Sequence, residues 1–530
     1  MDFFPDISRL PDFITIETER ETASFSGGSD IPFHDVCVRI TVADSVNVSL
    51  SADTTPVLRL RLRLRWNAPV PAGTRFCGDA WERGYGDFEW RGFVAERIMP
   101  WYFYASCKDA FAGYGVRVRP DAMCFFCCDP AGVTLTVDVR CGGAGVVLKG
   151  KTIACAEAVC AEYKGISSFE AACRFTSLLC CDGIFPDVPV YGANNWYYAY
   201  GKSSQTEILA DASYLAELTD GLKNRPFMVI DDGWQKLRSD SYIGGPWRAG
   251  NDRFPDMEAL SAGISAHDVI PGIWFRPLQN RDESLPEKCR LSFDADCLDP
   301  SVPEALDYIA QDVRTLTGWG YRLIKHDFST FDLLRYWGVF MQSSISSQPG
   351  VPFADRSKTT AMIIKDLYRT IYESAGGKAM ILGCNCIGHL GAGYMEINRT
   401  GDDTSGIEWE RTRQRGVNTL AFRMPQHNRF YAVDADCCGI TGAIDWRKNE
   451  QCLSLLANSG TPLFVSVKPG TLMPEQEELL RAAYARAAVS QPAAVPIDWM
   501  DTTCPVNWQI GKKTVSFDWF DRTGIPNLQI

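Results

Sequence analysis

Residues 321–330 read YRLIKHDFST: an apolar run that ends in Lys325, His326 and Asp327, followed by small hydroxyl residues. A carboxylate beside a cation at the end of a buried run either caps the next helix or stands as a nucleophile in a site. The pattern recurs along the chain. Asp231 and Asp232 close PFMVIDDGW, and Arg399, Asp402 and Asp403 close GYMEINRTGDD. Asp434 and Asp436 close RFYAVDADC, and Trp274 closes VIPGIWFRP. Taken singly, each fits a cap or a turn. Carboxylates at four such ends, with Lys and Arg between them, point instead to one shared site. Carboxylates and aromatics without a metal-ligand pattern suit cleavage of a glycosidic bond. One carboxylate attacks the anomeric carbon while a carboxylic acid protonates the departing oxygen, the two about 5–5.5 Å apart in retaining enzymes. Trp196, Trp234, Trp247 and Trp274 offer flat faces to sugar C–H surfaces, and each equally suits core filling.

The elements that would carry these residues follow a rhythm. Eight short apolar runs begin NNWYYAY, PFMVIDDGW, VIPGIWFRP, YRLIKHDF, KAMILGCN, GYMEINRTGDD, RFYAVDADC and TPLFVSVKPG. Helical segments such as TEILADASYLAELTDGL and PEALDYIAQDVRTLTGW alternate with them. Eight β-then-α units predict a (β/α)8 TIM barrel over residues 186–490, whose site lies where the strands end and the loops converge. Residues 1–185 alternate with period two, most strictly in VLRLRLRLRW (57–66), and predict an N-terminal β-sandwich. Residues 491–530 return to strand-like alternation and predict a small C-terminal β-region. Within the β-sandwich, DAWERGYGDFEWRGF (79–93) fits either a folded hairpin or a segment that reaches over the barrel mouth and adds an aromatic wall.

The ordered set NNW, VIDDGW, WRAGNDRFPDM, PGIWF, KHD, RTGDDT and DADC resembles the retaining α-galactosidases of glycoside hydrolase families 27 and 36. The preceding β-domain and the chain length look most like family 36. The resemblance spans the whole barrel, and it implies release of terminal α-linked galactose by double displacement. It makes Asp327 the nucleophile, with Lys325 beside it to hydrogen-bond sugar hydroxyls and lower the nucleophile's pKa. Asp231 and Asp232 match an acidic pair that grips ring hydroxyls, and Trp196 and Trp274 match aromatic wall positions. An Arg-x-x-x-Asp pattern makes Arg399 a substrate-binding partner and Asp403 the acid/base; a Ser-Asp-Asx-Thr pattern would make Asp402 the acid/base instead. Of two adjacent carboxylates in a dry pocket one is expected to carry a raised pKa, as a general acid requires. His326, WFRPLQN and GCNCIGHLG depart from the family pattern, which leaves the aglycone open. A galactosyl-transferring, raffinose-synthase-like enzyme and an α-N-acetylgalactosaminidase are the enzyme alternatives. A sugar-binding barrel without catalysis is the non-enzyme alternative.

The totals exclude other classes. The net charge of −12 and the lack of any basic block argue against nucleic acid or an anionic membrane as partner. No apolar run approaches the roughly 20 residues of a spanning helix. The N-terminus MDFFPDISRL has no signal-peptide pattern, which predicts a cytoplasmic protein with reduced thiols. The 20 cysteines are irregularly spaced, CFFC (124–127) has no second pair, and the 5 histidines form no HExxH. The expectation is therefore a carbohydrate-acting enzyme with no cofactor or metal. Large barrels with β-domains often associate, so a homo-oligomer is among the expected states.

Overall fold

The computed structural model describes residues 9–521 and residue 524. Its N-terminal part consists of two antiparallel sheets. The strand Val57–Arg65 lies in the six-stranded sheet between Phe13–Thr18 and Gly132–Asp138. Its alternation sorts the two faces. Leu60, Leu62 and Leu64 are buried in the sandwich core. The intervening arginines form ion pairs on the outer face: Arg59 with Asp138 at 3.0 Å, Arg61 with Glu17 at 2.7 Å and Arg63 with Asp129 at 2.7 Å. The seven-stranded sheet supplies the other half of the core; Phe103 meets Phe126 edge-on across the gap at 5.3 Å between centroids. Cys124 and Cys127 fall on the strand Met123–Asp129. Three residues apart on a strand, they point to opposite faces and cannot share a metal.

The helix Ser168–Leu179 closes this part of the chain, capped by the Ser167 hydroxyl. The central sheet is parallel. Its strands are Tyr191–Asn194, Phe227–Ile230, Ile270–Phe275, Leu323–His326, Met380–Gly383, Ile397–Arg399, Ala432–Asp434, Cys437–Ile440 and Leu463–Val467. Nine strands make eight staves, because the seventh is broken. Ala432–Asp434 pairs with the sixth strand, and Cys437–Ile440 pairs with the last. Only Ala435 and Asp436 separate them, and Asp436 takes a left-handed φ of 69° that steps the chain sideways. The cylinder closes through this step, in keeping with the expected barrel.

One strand differs from its expectation. NNWYYAY is not extended: the first strand is Tyr191–Asn194, and Trp196–Ala199 is a single helical turn. Outer helices include Gln205–Leu218, Met257–Ala266, Pro303–Gly318, Thr360–Ala375, Trp446–Asn458 and Pro474–Ala487. Near the C-terminus, Val495–Pro496, Asn507–Ile510 and Lys513–Ser516 form a three-stranded sheet. Most of the last nine residues of the predicted C-terminal region lie outside the described residues. Among the described residues no helix is long and apolar enough to cross a membrane.

Candidate active site

The strand ends converge on one cavity of about 950 Å³. Asp231, Asp232, Trp274, Lys325, Asp327, Asp402, Asp403 and Trp196 all line it. Arg399, Asp434, Asp436, Trp234 and Trp247, also singled out in the sequence, lie behind the wall rather than on it.

Asp327 follows the fourth strand, with Phe328 at φ 64° turning the chain sharply into the helix Ser329–Leu334. That turn aims the Phe328 N–H at Asp327 Oδ1, at 2.7 Å. The Trp274 indole N–H, from the third strand, donates to Asp327 Oδ2 at 3.0 Å. Each carboxylate oxygen thus has one fixed donor and keeps a lone pair for the cavity. Lys325 makes its ion pair with Asp231 of the second strand end rather than with Asp327. Its Nζ lies 2.7 Å from Asp231 Oδ2, which also accepts from Asn194 Nδ2 at 2.8 Å. Burial alone would drive the Lys325 ammonium to lose its proton, but the Asp231 carboxylate more than reverses this and raises its pKa. Asp232 accepts from Gln235 at 2.7 Å, and its pKa is raised because burial outweighs this bond and the nearby Arg238.

The acid pair after the sixth strand is built differently from the expectation. Asp403 does not carry the raised pKa expected of a general acid. Asp402 is clamped, with Arg83 Nη2 2.7 Å from Oδ1 and Arg415 Nη1 2.5 Å from Oδ2. Its side chain is only 14% exposed. The Asp403 side chain is 37% exposed, with Arg399 Nη2 at 3.4 Å and Arg83 Nη1 at 3.8 Å. Burial opposes ionisation of Asp403, yet Arg399 and Arg83 prevail and lower its pKa. Arg399 is itself held from below: its Nη2 lies 2.7 Å from Asp436 Oδ2. That oxygen also accepts from Thr404 N at 2.9 Å and from the Tyr197 hydroxyl. Asp434 and Asp436 are therefore buried supports. Asp434 has a pKa raised to about 6 by burial, despite Arg399.

Trp234 and Trp247 are fully buried, so of their two readings core filling holds; Trp234 donates to the Trp274 carbonyl at 2.9 Å. His326, also fully buried, sits behind the wall with Nδ1 3.4 Å from Cys386 Sγ, and burial pushes its pKa down to about 3.

The segment 79–93 does reach the barrel mouth. Gly84 N donates to Thr400 O at 2.8 Å and Asp402 N to Gly84 O at 2.9 Å, a two-strand bridge across the rim. Gly401 is required there, since a Cβ would lie 2.0 Å from Arg415 O. Arg83 and Tyr85 enter the cavity wall. The segment therefore supplies a guanidinium as well as an aromatic ring. Buried Glu82 anchors it, accepting from Gly338 N at 2.7 Å, Asn385 Nδ2 at 2.8 Å and the Tyr85 hydroxyl. Residues that sequence reasoning missed are Arg411 and Arg415 beyond the sixth strand, and Trp337, Val339 and Phe340 beyond the fourth. Phe340 is 59% exposed, an apolar side chain at the mouth.

No protein-family model matches the chain, and no curated protein matches it. Solved structures do. An α-galactosidase from Thermus thermophilus, solved with p-nitrophenyl α-D-galactopyranoside, gives a TM-score of 0.59 at 18% identity. The match covers 92% of this chain and 99% of that one. A variant of a glycoside hydrolase family 36 α-galactosidase from Geobacillus stearothermophilus, solved with raffinose, gives 0.58 at 15% identity, covering 92% and 77%. The fold of this chain, sandwich and barrel together, is the fold of the family 36 α-galactosidases.

Proposed function

We propose that the chain is a retaining glycoside hydrolase that releases terminal α-linked galactose from oligosaccharides or glycoconjugates. The observation that carries this reading is the single cavity into which Asp327 and the Asp402–Asp403 pair both open, beside Asp231, Asp232 and Lys325. Asp327 attacks the anomeric carbon, the bond to the leaving oxygen breaks, and that oxygen takes the proton of Asp403. Asp403, now a carboxylate, removes a proton from water; the water oxygen displaces Asp327 and frees galactose. Asp403 suits this shuttle better than Asp402, whose two oxygens are both held by arginines. Asp231, Asp232 and Lys325 bind ring hydroxyls, and Trp196 faces the apolar side of the sugar. Arg399 acts as a positioning residue beneath Asp403. No cofactor enters the scheme. The likeness to α-galactosidases solved with galactosides supports the choice of sugar.

The test is Asp327→Asn, with p-nitrophenyl α-galactoside as substrate. Turnover is expected to fall by more than about a thousandfold, with circular dichroism and Tm unchanged. NMR of the wild-type reaction should show α-galactose first. Activity retained in the variant, or β-galactose as first product, would overturn the reading.

A further inference from the structure

The wall beside Asp403 holds more cations than its own carboxylates use. Arg83, Arg411 and Arg415 all line the cavity. Arg83 and Arg415 are both spent on Asp402, one at each oxygen. Arg411 is left over: among the described residues no carboxylate lies within ion-pair distance, and its buried Nε has no partner. Glu408, three residues earlier on the same wall, is exposed and does not pair with it. Asp87, the other acid of this wall, accepts the Tyr85 N–H at 3.1 Å.

The backbone here is also unusual. Trp409–Thr412 is one α-helical turn that runs straight into the π-helical stretch Arg413–Asn418, a rare wide turn that frequently occurs at functional sites. Arg411 and Arg415, four residues apart, both reach the cavity, with Gln414 between them. Repulsion between Arg415 and its neighbours Arg411 and Arg83 works with burial to lower the Arg415 pKa against the pull of Asp402. An added anion would relieve that repulsion.

We infer that this wall is an anion subsite on the leaving-group side: Arg411, with Arg415 and Gln414, receives an oxyanion, a carboxylate or sulfate, carried by the aglycone. The assignment to the leaving-group side rests on the proposed role of Asp403, since the acid must stand next to the departing oxygen. A guanidinium fork matches the geometry of such a group, and charge-assisted hydrogen bonds of this kind are the strong ones.

The experiment compares two aryl α-galactosides that differ only in the para substituent, carboxylate or its methyl ester. The ester is the better leaving group, so intrinsic reactivity works against the expected result. In wild type at low ionic strength, kcat/KM is expected to favour the carboxylate by about tenfold or more. Salt should erode that preference. Arg411→Gln should abolish it and Arg411→Lys retain part of it, each read as a ratio within one protein so that general losses cancel. A ratio at or below one in wild type, or one unchanged in Arg411→Gln, overturns the inference. If neither compound is cleaved, the galactosidase reading fails, and calorimetry with 4-hydroxybenzoate decides the subsite without turnover. Binding that is lost in Arg411→Gln sustains the subsite; absence of binding to wild type overturns it.

Discussion

At the scale of single residues, under the proposed mechanism the arginines around Asp403 set the pH at which it can work as an acid. Arg399 and Arg83 hold its pKa below the ordinary carboxylate value. An acid is useful only while protonated, so the alkaline limb of kcat/KM is expected at acidic pH. Removing one positive charge must raise the pKa of Asp403 and move that limb upward. Arg83→Gln is therefore predicted to shift the alkaline limb to higher pH, measured on an aryl α-galactoside across the full pH range. A shift downward, or none, would mean that Asp403 is not the group titrating. The carboxylates themselves were legible from their positions at strand ends, because a barrel collects such ends at one rim. Their pairing was not. KHD places Lys325 and Asp327 two residues apart, on one face of the strand, yet the lysine turns to Asp231. That choice depends on Asn194 and on the neighbouring strand register, which pairs Asn194 with Val229, two residues before Asp231.

At the scale of elements, the barrel units were readable wherever β-branched and aliphatic residues clustered, and misread where aromatics did. WYYA has strand-like composition but forms a helical turn, because the preceding Asn194 and Asn195 take hydrogen bonds that end the strand. The break in the seventh stave was hidden because DADC reads as ordinary alternation; the left-handed Asp436 is fixed by Arg399, Thr404 and Tyr197 from other elements. The segment 79–93 gives the test at this scale. Gly86 has φ 86°, and a Cβ there would lie 2.6 Å from Gln414 Cβ, in the helical stretch that carries Arg411 and Arg415. Gly86→Ala is predicted to cost about 1–3 kcal/mol and to lower kcat/KM by withdrawing Arg83 from Asp402. Gly92 has no atom within 4 Å of an added Cβ, so Gly92→Ala is the matched control and should change neither. Chemical denaturation and aryl galactoside kinetics check both, and equal behaviour of the two variants would refute the loop's role.

For the whole molecule, the sandwich supplies Arg83 and Tyr85 to the wall of the candidate site, so the two parts should unfold together. Contacts cross the boundary over its length. Trp101 stacks on His389 at 4.8 Å, Lys365 pairs with Asp121 at 2.5 Å, and Thr176 Oγ1 donates to Pro425 O at 2.6 Å. The central tie is Arg423. Buried with Asp79, which it meets at 2.9 Å, it also donates to Thr400 O at 3.1 Å and to Glu82 O, so one cation joins the segment 79–93 to the end of the sixth strand. Burial outweighs Arg423 and raises the Asp79 pKa, so the pair depends strongly on both members being present. Arg423→Leu leaves a buried carboxylate without its cation, which costs about 3–5 kcal/mol. Adding Asp79→Leu should recover much of that loss, since replacing both charges by apolar groups is near neutral. Calorimetry is expected to give one transition for wild type, a lower Tm for the single variant and an intermediate Tm for the double. Activity should fall in both variants, because neither retains the donor that holds Thr400 and Glu82 together. Two separated transitions in wild type, or a single variant as stable as its parent, would mean that the sandwich and barrel stand independently and that Arg83 reaches the cavity without this tie.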